Sequence, residues 1–472
     1  MRLSLSGEQL NTILGSMEDG HVTAGDTGAR RPVHTVYGGA HLFTAGTTRK
    51  LGAVALGMMD EYAPDFCAFA RAVGLPDAGR LPAGSKASAA LEKKVARNPD
   101  TSGPATLAWK VHRRVRGKLQ REPVEDYRVD FEDGFGPRSG EEEDDAAVKV
   151  AGEMAKGMTE GSLPPFVGIR IRALAPPTAA RAARTLDLFL TALAEKTGGK
   201  LPPEFLVALP KVTSPDQVET LATLLGRLER TLGFQEGSVK IEIMVETPLA
   251  LVNREGRLAL PLMRTAAGGR LAAAHLGAYD LTAALHVAAP EQHLGHPACD
   301  TARQLMQLAF AGTGVRVVDG VSAVLPVAPH RPKGAGKLTV RQRGANREAV
   351  LGAWRAGWDD VTRALGLGIF QGWDLHPGQL PVRYAATYAF FLRDLDATAE
   401  RLAAFVDRAA RAVVRNTLFD DAATGQGMLN FFLRGLACGA LTTEEAARAG
   451  LSPEELRMGS FAAILEHRAS HR

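Results

Sequence analysis

Short apolar runs recur along this chain, separated by longer stretches in which apolar residues return every three or four positions. Eight such runs stand out: "PVHTVYGG" (32–39), "DYRVDFEDG" (126–134), "FVGIRIRAL" (166–174), "EFLVALPKV" (204–212), "VKIEIMVET" (239–247), "LAAAHLGAYD" (271–280), "DGVSAVLPV" (319–327) and "GIFQGWDLHP" (368–377). Strand-like runs alternating with helical periods predict a parallel sheet with helices laid over it. Two of the helical stretches carry clear boundary signals. "TAARAARTLDLFLTALAEKTGG" ends in Gly-Gly, which suits a helix stop, and "SPDQVETLATLLGRLERTLG" opens on Ser-Pro-Asp, a capping start. Eight alternating units predict an α/β chain folded as a (β/α)8 TIM barrel, whose sites lie at the C-terminal ends of the strands. An open doubly wound sheet is the alternative, but no GxGxxG opens a helix after any of these strands.

The pattern also divides the chain. Residues 1–31 read as an N-terminal helical extension, 32–392 as the barrel, and 393–472 as a helical C-terminal region containing "GMLNFFLRGL", read as a packed helix or subunit interface. Between the first two strands, about residues 62–122, lies a long insertion dense in Gly, Pro and Ser, which predicts loops around a helix or two.

Composition narrows the class without naming a function. At 472 residues, with 45% hydrophobic and 23% charged residues, the chain reads as an ordinary globular enzyme. A formal net charge of +4 is small for this length, and the basic residues are scattered, so no nucleic-acid partner is expected. Local clusters at 110–118 and 330–343 read as a solvated helix face and a surface loop. Three cysteines without a CxxC pair, no apolar run near the roughly 20 residues of a membrane span, and no leader-like N-terminus predict a reduced cytoplasmic protein. "HLGHPACD" sets His293, His296 and Cys299 at three-residue steps, but Pro297 makes a helix entrance the better reading than a metal site.

The barrel hypothesis makes a prediction within the sequence: polar residues should gather at the strand ends. Strand 2 ends in Asp130, Glu132 and Asp133; strand 3 carries Arg170 and Arg172; strand 4 ends in Lys211. Strand 5 ends in Glu246, strand 6 in Asp280, and strand 8 in Asp374 and His376. A buried carboxylate such as Glu246 needs a cation, a hydrogen-bond donor or water. Glu246 and Asp280, on adjacent strands, can share one hard divalent cation. An arginine facing that ion would hold a substrate carboxylate in a bidentate pair, and the ion would polarise the carbonyl of a 2-oxo acid. Glu242 shares parity with Glu246, so a polar, partly hydrated barrel interior is a second reading of the same strand.

"VHTVYGGAHLF", "YRVDFEDGFGP", "VGIRIRAL", "ALPKV", "IMVETPLAL", "HLGAYDLTAAL", "VDGV" and "LHPGQL" together resemble the citrate lyase β-subunit-like group of the HpcH/HpaI aldolase superfamily, which includes malyl-CoA lyases. The resemblance spans roughly residues 32–392. It implies a Mg2+-dependent carbon–carbon lyase or aldolase acting through an enolate of a small 2-oxo acid or acyl thioester. It further implies Mg2+, or Mn2+ in its place, on Glu246 and Asp280, and Arg170 on the substrate carboxylate or oxo group. Asp130, Glu132 and Asp133 fall near the metal, with Glu132 toward the substrate and Asp133 toward catalysis. Lys211 matches the lysine of the "PK" motif, in a supporting role, and His376, Pro377 and Gln379 match a turn that closes the barrel, with His376 toward substrate. An acyl-coenzyme A partner and a homo-oligomer are also implied. An aspartate from the C-terminal region completes the site in several relatives; Asp394, Asp396, Asp420 and Asp421 are candidates, and no motif selects among them.

Two departures bear on substrate. Arg172 stands where the group has an asparagine, so it either recruits a more acidic substrate or points outward into the helix layer. The insertion and the basic loop "VAPHRPKGAGKLTVRQRGANR" are longer than in compact members, and the loop either meets a phosphate of coenzyme A or lies on the surface. Phosphoryl transfer on phosphoenolpyruvate and a non-catalytic metabolite-binding barrel are the competing readings; the first lacks a phosphate loop in a strand–helix setting.

Overall fold

In the computed structural model the eight runs close into one parallel barrel in the order β1 to β8. The strands are β1 His34–Gly39, β2 Asp126–Asp130, β3 Phe166–Arg170, β4 Leu206–Leu209, β5 Lys240–Val245, β6 Leu271–Leu276, β7 Arg316–Val321 and β8 Gln371–Asp374. The structure describes Glu8 and residues 29–99, 103–332, 336–407, 413–415, 418–420 and 422–470. Apart from Glu8 and residues 29–31, the expected N-terminal extension therefore lies outside the described residues.

Seven strands fall inside their predicted runs, and β7 begins three residues early. Most strands also end early. Lys211, Glu246 and His376 stand in the segments just beyond their strands, and Asp280 in the first turn of a helix.

The insertion is more ordered than its composition suggested. After α1 (Thr47–Tyr62) it folds as three helices, α2 (Phe66–Val73), α3 (Ser85–Arg97) and α4 (Pro104–Arg121). The basic cluster of 110–118 lies on α4, and several of its charges are paired: Arg114 with Glu445, Arg116 with Asp60, and Lys118 with Glu122.

The next helices are α5 (Gly140–Glu160), α6 (Ala179–Thr197) and α7 (Pro215–Leu232). Ser139 and Ser214 start α5 and α7 with capping boxes, and Gly198 and Gly233 end α6 and α7 in the left-handed conformation, as the sequence signals required. There follow α8 (Pro248–Leu251), α9 (Ala259–Ala266), α10 (Ala278–Ala284), α11 (Pro297–Phe310), α12 (Val340–Gly366) and α13 (Leu380–Asp407). His296 caps α11 by accepting from the Ala298 amide at 3.1 Å, which fits the helix-entrance reading of "HLGHPACD". The basic loop after β7 is shorter than expected, because Thr339 caps α12 and carries Arg341, Arg343 and Arg347 into the helix.

The C-terminal extension holds α14 (Ala422–Ala437), α15 (Thr443–Ala447), α16 (Pro453–Met458) and α17 (Phe461–Ser470), with an antiparallel pair, β9 (Val413–Arg415) and β10 (Leu418–Asp420). It reaches the N-terminal end of the barrel, where the Arg31 amide donates to the Ala437 carbonyl. No helix among the described residues is long and apolar enough to cross a membrane.

Strand alternation splits the barrel into two environments. Val129, Ile169, Val207, Ile241 and Ile243 are fully buried in the apolar core shared with the helices. The opposite positions fill the barrel with charge. Arg128, fully buried, donates to Asp126 from both terminal nitrogens and to Glu242 at 3.1 and 3.2 Å. The Tyr37 hydroxyl donates to Glu242 at 2.9 Å, and Gln371 to Thr35 at 2.8 Å. Burial alone would push the Glu242 carboxyl up, but Arg128 and His275 hold it well below the usual carboxylate range.

Candidate active site

The strand-end residues meet at the mouth of the barrel. In "DFEDG" the chain turns so tightly after β2 that Asp130 accepts from the backbone amides of Glu132, at 2.9 Å, and Gly134, at 2.7 Å. A Cβ on Gly134 would lie 2.5 Å from Asp130 Oδ2, so the turn requires glycine. Asp130 in turn holds Arg170 of β3 in a two-pronged pair, with Nε–Oδ1 at 2.7 Å and Nη2–Oδ2 at 2.5 Å. The third guanidinium nitrogen, Nη1, lies 3.2 Å from Glu132 Oε2.

Lys211 connects this cluster to the next strand end. Its backbone has a φ of +51°, in the left-handed region, which aims its amide at Glu246 Oε1 at 2.6 Å. Its ammonium pairs with Glu132 and stands 3.2 Å from Asp133 Oδ2. Burial opposes the Lys211 charge, but Glu132, Asp133 and Glu246 outweigh it and raise the pKa. Burial likewise pushes the Glu132 carboxyl up. Asp133, at the rim, is held down by Lys211 and Arg170 against the effect of its own partial burial.

Glu246 is only 2% exposed and is packed against Gly277, where a Cβ would lie 2.4 Å from its carboxylate. Burial first, and then the charge of Asp280, push its carboxyl up to about 7, against the pull of the Lys211 amide and Arg170. Asp280 is exposed on the first turn of α10. This pair fits a divalent cation on chemical grounds. Both ligands offer oxygen, and Glu246 is a carboxylate whose negative charge its protein neighbours leave under-compensated.

Two aromatic residues complete the floor of the site, and sequence reasoning missed both. The Arg170 guanidinium carbon sits 5.0 Å from the centre of the Tyr37 ring and 5.8 Å from that of Trp373. The signal was available: Tyr37 and Trp373 occupy inward positions of β1 and β8 and lie 4.7 Å apart between ring centres. Cation–π contact of this kind fixes an arginine without consuming its hydrogen-bond donors.

Other expected residues are not brought to this cluster. Arg172 lies beyond the end of β3 and turns into the helix layer, donating to Glu143 of α5 at 2.8 Å, so its outward reading is the one realised. Asp374 faces outward from β8, paired with Arg383 of α13 at 2.9 Å and lying 3.4 Å from His34. Its place in the strand-end cluster is therefore corrected, because the parity of β8 sends Trp373 inward and Asp374 out. The half-buried His376 ring accepts from the Gly378 amide at 3.1 Å and shapes the turn with Gln379. Among the C-terminal aspartates, Asp394 pairs with Arg393 and Asp396 with Arg448; Asp421 and the side chain of Asp420 lie outside the described residues.

Solved structures of known proteins share this fold. A citrate lyase from Burkholderia xenovorans LB400 superposes with a TM-score of 0.51 at 21% identity, covering 71% of this chain and 90% of that one. The CitE protein of Mycobacterium tuberculosis, solved with magnesium, acetoacetate and coenzyme A, gives a TM-score of 0.43 at 19% identity, over 70% of this chain and 95% of that one. A malate synthase from Haloferax volcanii in a magnesium and glyoxylate complex gives 0.41 at 16% identity, over 76% and 92%. The likeness to the Burkholderia enzyme is one of fold, in agreement with the barrel read from the sequence. No curated protein matches the chain by sequence. One family model spans residues 20–464, nearly the whole chain, and on that match the protein belongs to the family of the domain of unknown function DUF6986.

Proposed function

We propose that this protein is a Mg2+-dependent carbon–carbon lyase or aldolase acting on a small 2-oxo acid or acyl thioester. The observation that carries the reading is Glu246, a buried carboxylate beside Asp280 with a pKa pushed up to about 7, held by the Lys211 amide at 2.6 Å and within the electrostatic reach of Arg170. Glu246 and Asp280 would hold the cation, which in that position would polarise a carbonyl oxygen and offset the charge developing on it. Arg170, backed by Tyr37 and Trp373 and oriented by Asp130, is assigned to the substrate carboxylate. The Lys211 amide fixes the Glu246 carboxylate, while its ammonium keeps positive charge beside the reacting group. We assign proton transfer to Asp133, whose carboxylate is exposed at the rim.

Calorimetric titration with Mg2+ followed by oxalate or pyruvate tests the assignment. Glu246→Ala and Asp280→Ala should each abolish Mg2+ binding and Mg2+-dependent binding of the acid, with the far-ultraviolet circular dichroism unchanged. Undiminished binding in both variants would sink the metal assignment.

A further inference from the structure

In this structure both cations of the proposed site are already engaged by the protein's own carboxylates. Arg170 spends Nε and Nη2 on Asp130, and its remaining terminal nitrogen faces Glu132; the Lys211 ammonium pairs with Glu132 and Asp133. The two carboxylates on Arg170 are not held equally. Asp130 accepts two short backbone hydrogen bonds from its own turn, so it is built into the scaffold. The Glu132 carboxylate has one long backbone contact, from the Asp133 amide at 3.4 Å, and its other contacts are with side chains: the neighbouring Asp133 carboxyl and the two cations. Its two oxygens are divided between them, Oε2 toward Arg170 and Oε1 toward Lys211. That is the position and the shape a substrate carboxylate would take if it bridged the same two cations.

We propose that the Glu132 carboxylate is an internal stand-in for the substrate carboxylate, occupying the space between Arg170 and Lys211 until an incoming acid displaces it. The ligand class this implies is a compact carboxylate with two free oxygens. The inference rests on the functional reading above, and it adds a competitor to it. Charge points the same way. Five carboxylates, Asp130, Glu132, Asp133, Glu246 and Asp280, face two cations, so the mouth repels an acid unless one of those carboxylates gives way or a cation is added.

The test is calorimetric titration of oxalate and of pyruvate into the full chain, with Mg2+ at saturation, for the wild type, Glu132→Gln, Glu132→Ala and Asp133→Asn. Losing the competing charge in Glu132→Gln, or the whole side chain in Glu132→Ala, should tighten acid binding about tenfold or more, the scale of one charge-assisted hydrogen bond. Asp133→Asn removes the same charge from the same lysine but leaves Glu132 in place, and should change affinity by less than about threefold. Equal or weaker binding in the Glu132 variants overturns the proposal, as does an equal gain in Asp133→Asn, which would show general charge relief. A wild type that binds Mg2+ and acid, with no gain on removing Glu132, refutes the stand-in alone. Failure of every variant and the wild type to bind either acid with Mg2+ refutes the functional reading and the stand-in with it.

Discussion

Arg170 and Arg172 stand two residues apart, and strand parity would turn both into the barrel. Only Arg170 goes there. β3 ends at Arg170, and Arg172 is drawn to the buried Glu143, which also accepts from Thr185 at 2.6 Å. The two arginines should therefore differ sharply in acid binding. Arg172→Ala should leave the affinity for pyruvate or oxalate within about twofold. Arg170→Lys keeps the charge but loses the fork, and should weaken it by about tenfold or more, the scale of one charge-assisted hydrogen bond. Isothermal titration of both variants decides this, and a larger loss in Arg172→Ala would reverse the assignment. At this scale the polar character of the strand ends was legible, although Arg172 and Asp374 prove to be structural ion pairs with the helix layer. Facing direction was not legible, since parity holds only as far as the ladder of hydrogen bonds continues.

The insertion between β1 and β2 shows a different limit. Its glycines and prolines suggested loops around a helix or two, yet three helices form there, and α2, α3 and α4 pack into the main core through Phe66, Phe69, Val95, Val111 and Val115. Within that packing lies His112, 9% exposed, with both ring nitrogens lacking a hydrogen-bond partner and its ring 5.6 Å from that of Phe69. Burial, and then the nearby Arg116, push its pKa down to about 4 from 6.5. Well above pH 6.5 the ring is neutral in both folded and unfolded chains, and it imposes no proton-linked penalty. As pH falls from about 6.5 to 4, the unfolded chain takes up a proton that the folded chain refuses, so stability falls across this window. The full difference amounts to about 3 kcal/mol at lower pH. His112→Leu should remove this part of the slope between pH 7.5 and 4.5, measured by urea unfolding. An identical slope in both proteins would exclude His112 as its source. Capping signals made α6 and α7 legible, whereas the start of α12, capped by Thr339, was read as part of a loop. Helices were obscured in the insertion, where Gly and Pro punctuate short helices that tertiary packing stabilises.

For the whole molecule, the most consequential feature is the charged interior beneath the site. Arg128 lies at its centre, bound to Asp126 from its own strand and to Glu242 from β5, more than a hundred residues away. Removing one member of such a group strands the others without water. Arg128→Met should destabilise the protein by roughly 3 to 5 kcal/mol, because two buried carboxylates lose their cation. Adding Asp126→Leu and Glu242→Met to the same chain should restore part of that loss. Urea midpoints of the single and triple variants test it; a single variant within about 1 kcal/mol of wild type would show that the interior is hydrated enough to solvate the carboxylates. Glu242 thus bears on the alternative raised by its shared parity with Glu246: Glu242 lies inside β5 and is neutralised by arginine, while Glu246 lies just past the end of β5 and is left beside Asp280.

Local pattern alone was enough to place the eight strands, the helices α6 and α7, and the polar residues at or just past the strand ends. Periodicity and capping are properties of neighbouring residues, and the C-terminal ends of barrel strands converge whatever the details. Tertiary structure decided the rest. The pairing of Arg170 with Asp130, the aromatic floor of Tyr37 and Trp373, the outward turn of Arg172 and Asp374, and the Arg128 interior all join strands or layers distant in sequence. Those partners are chosen only when the sheet closes, because closure alone determines which inward and outward positions come within hydrogen-bond reach.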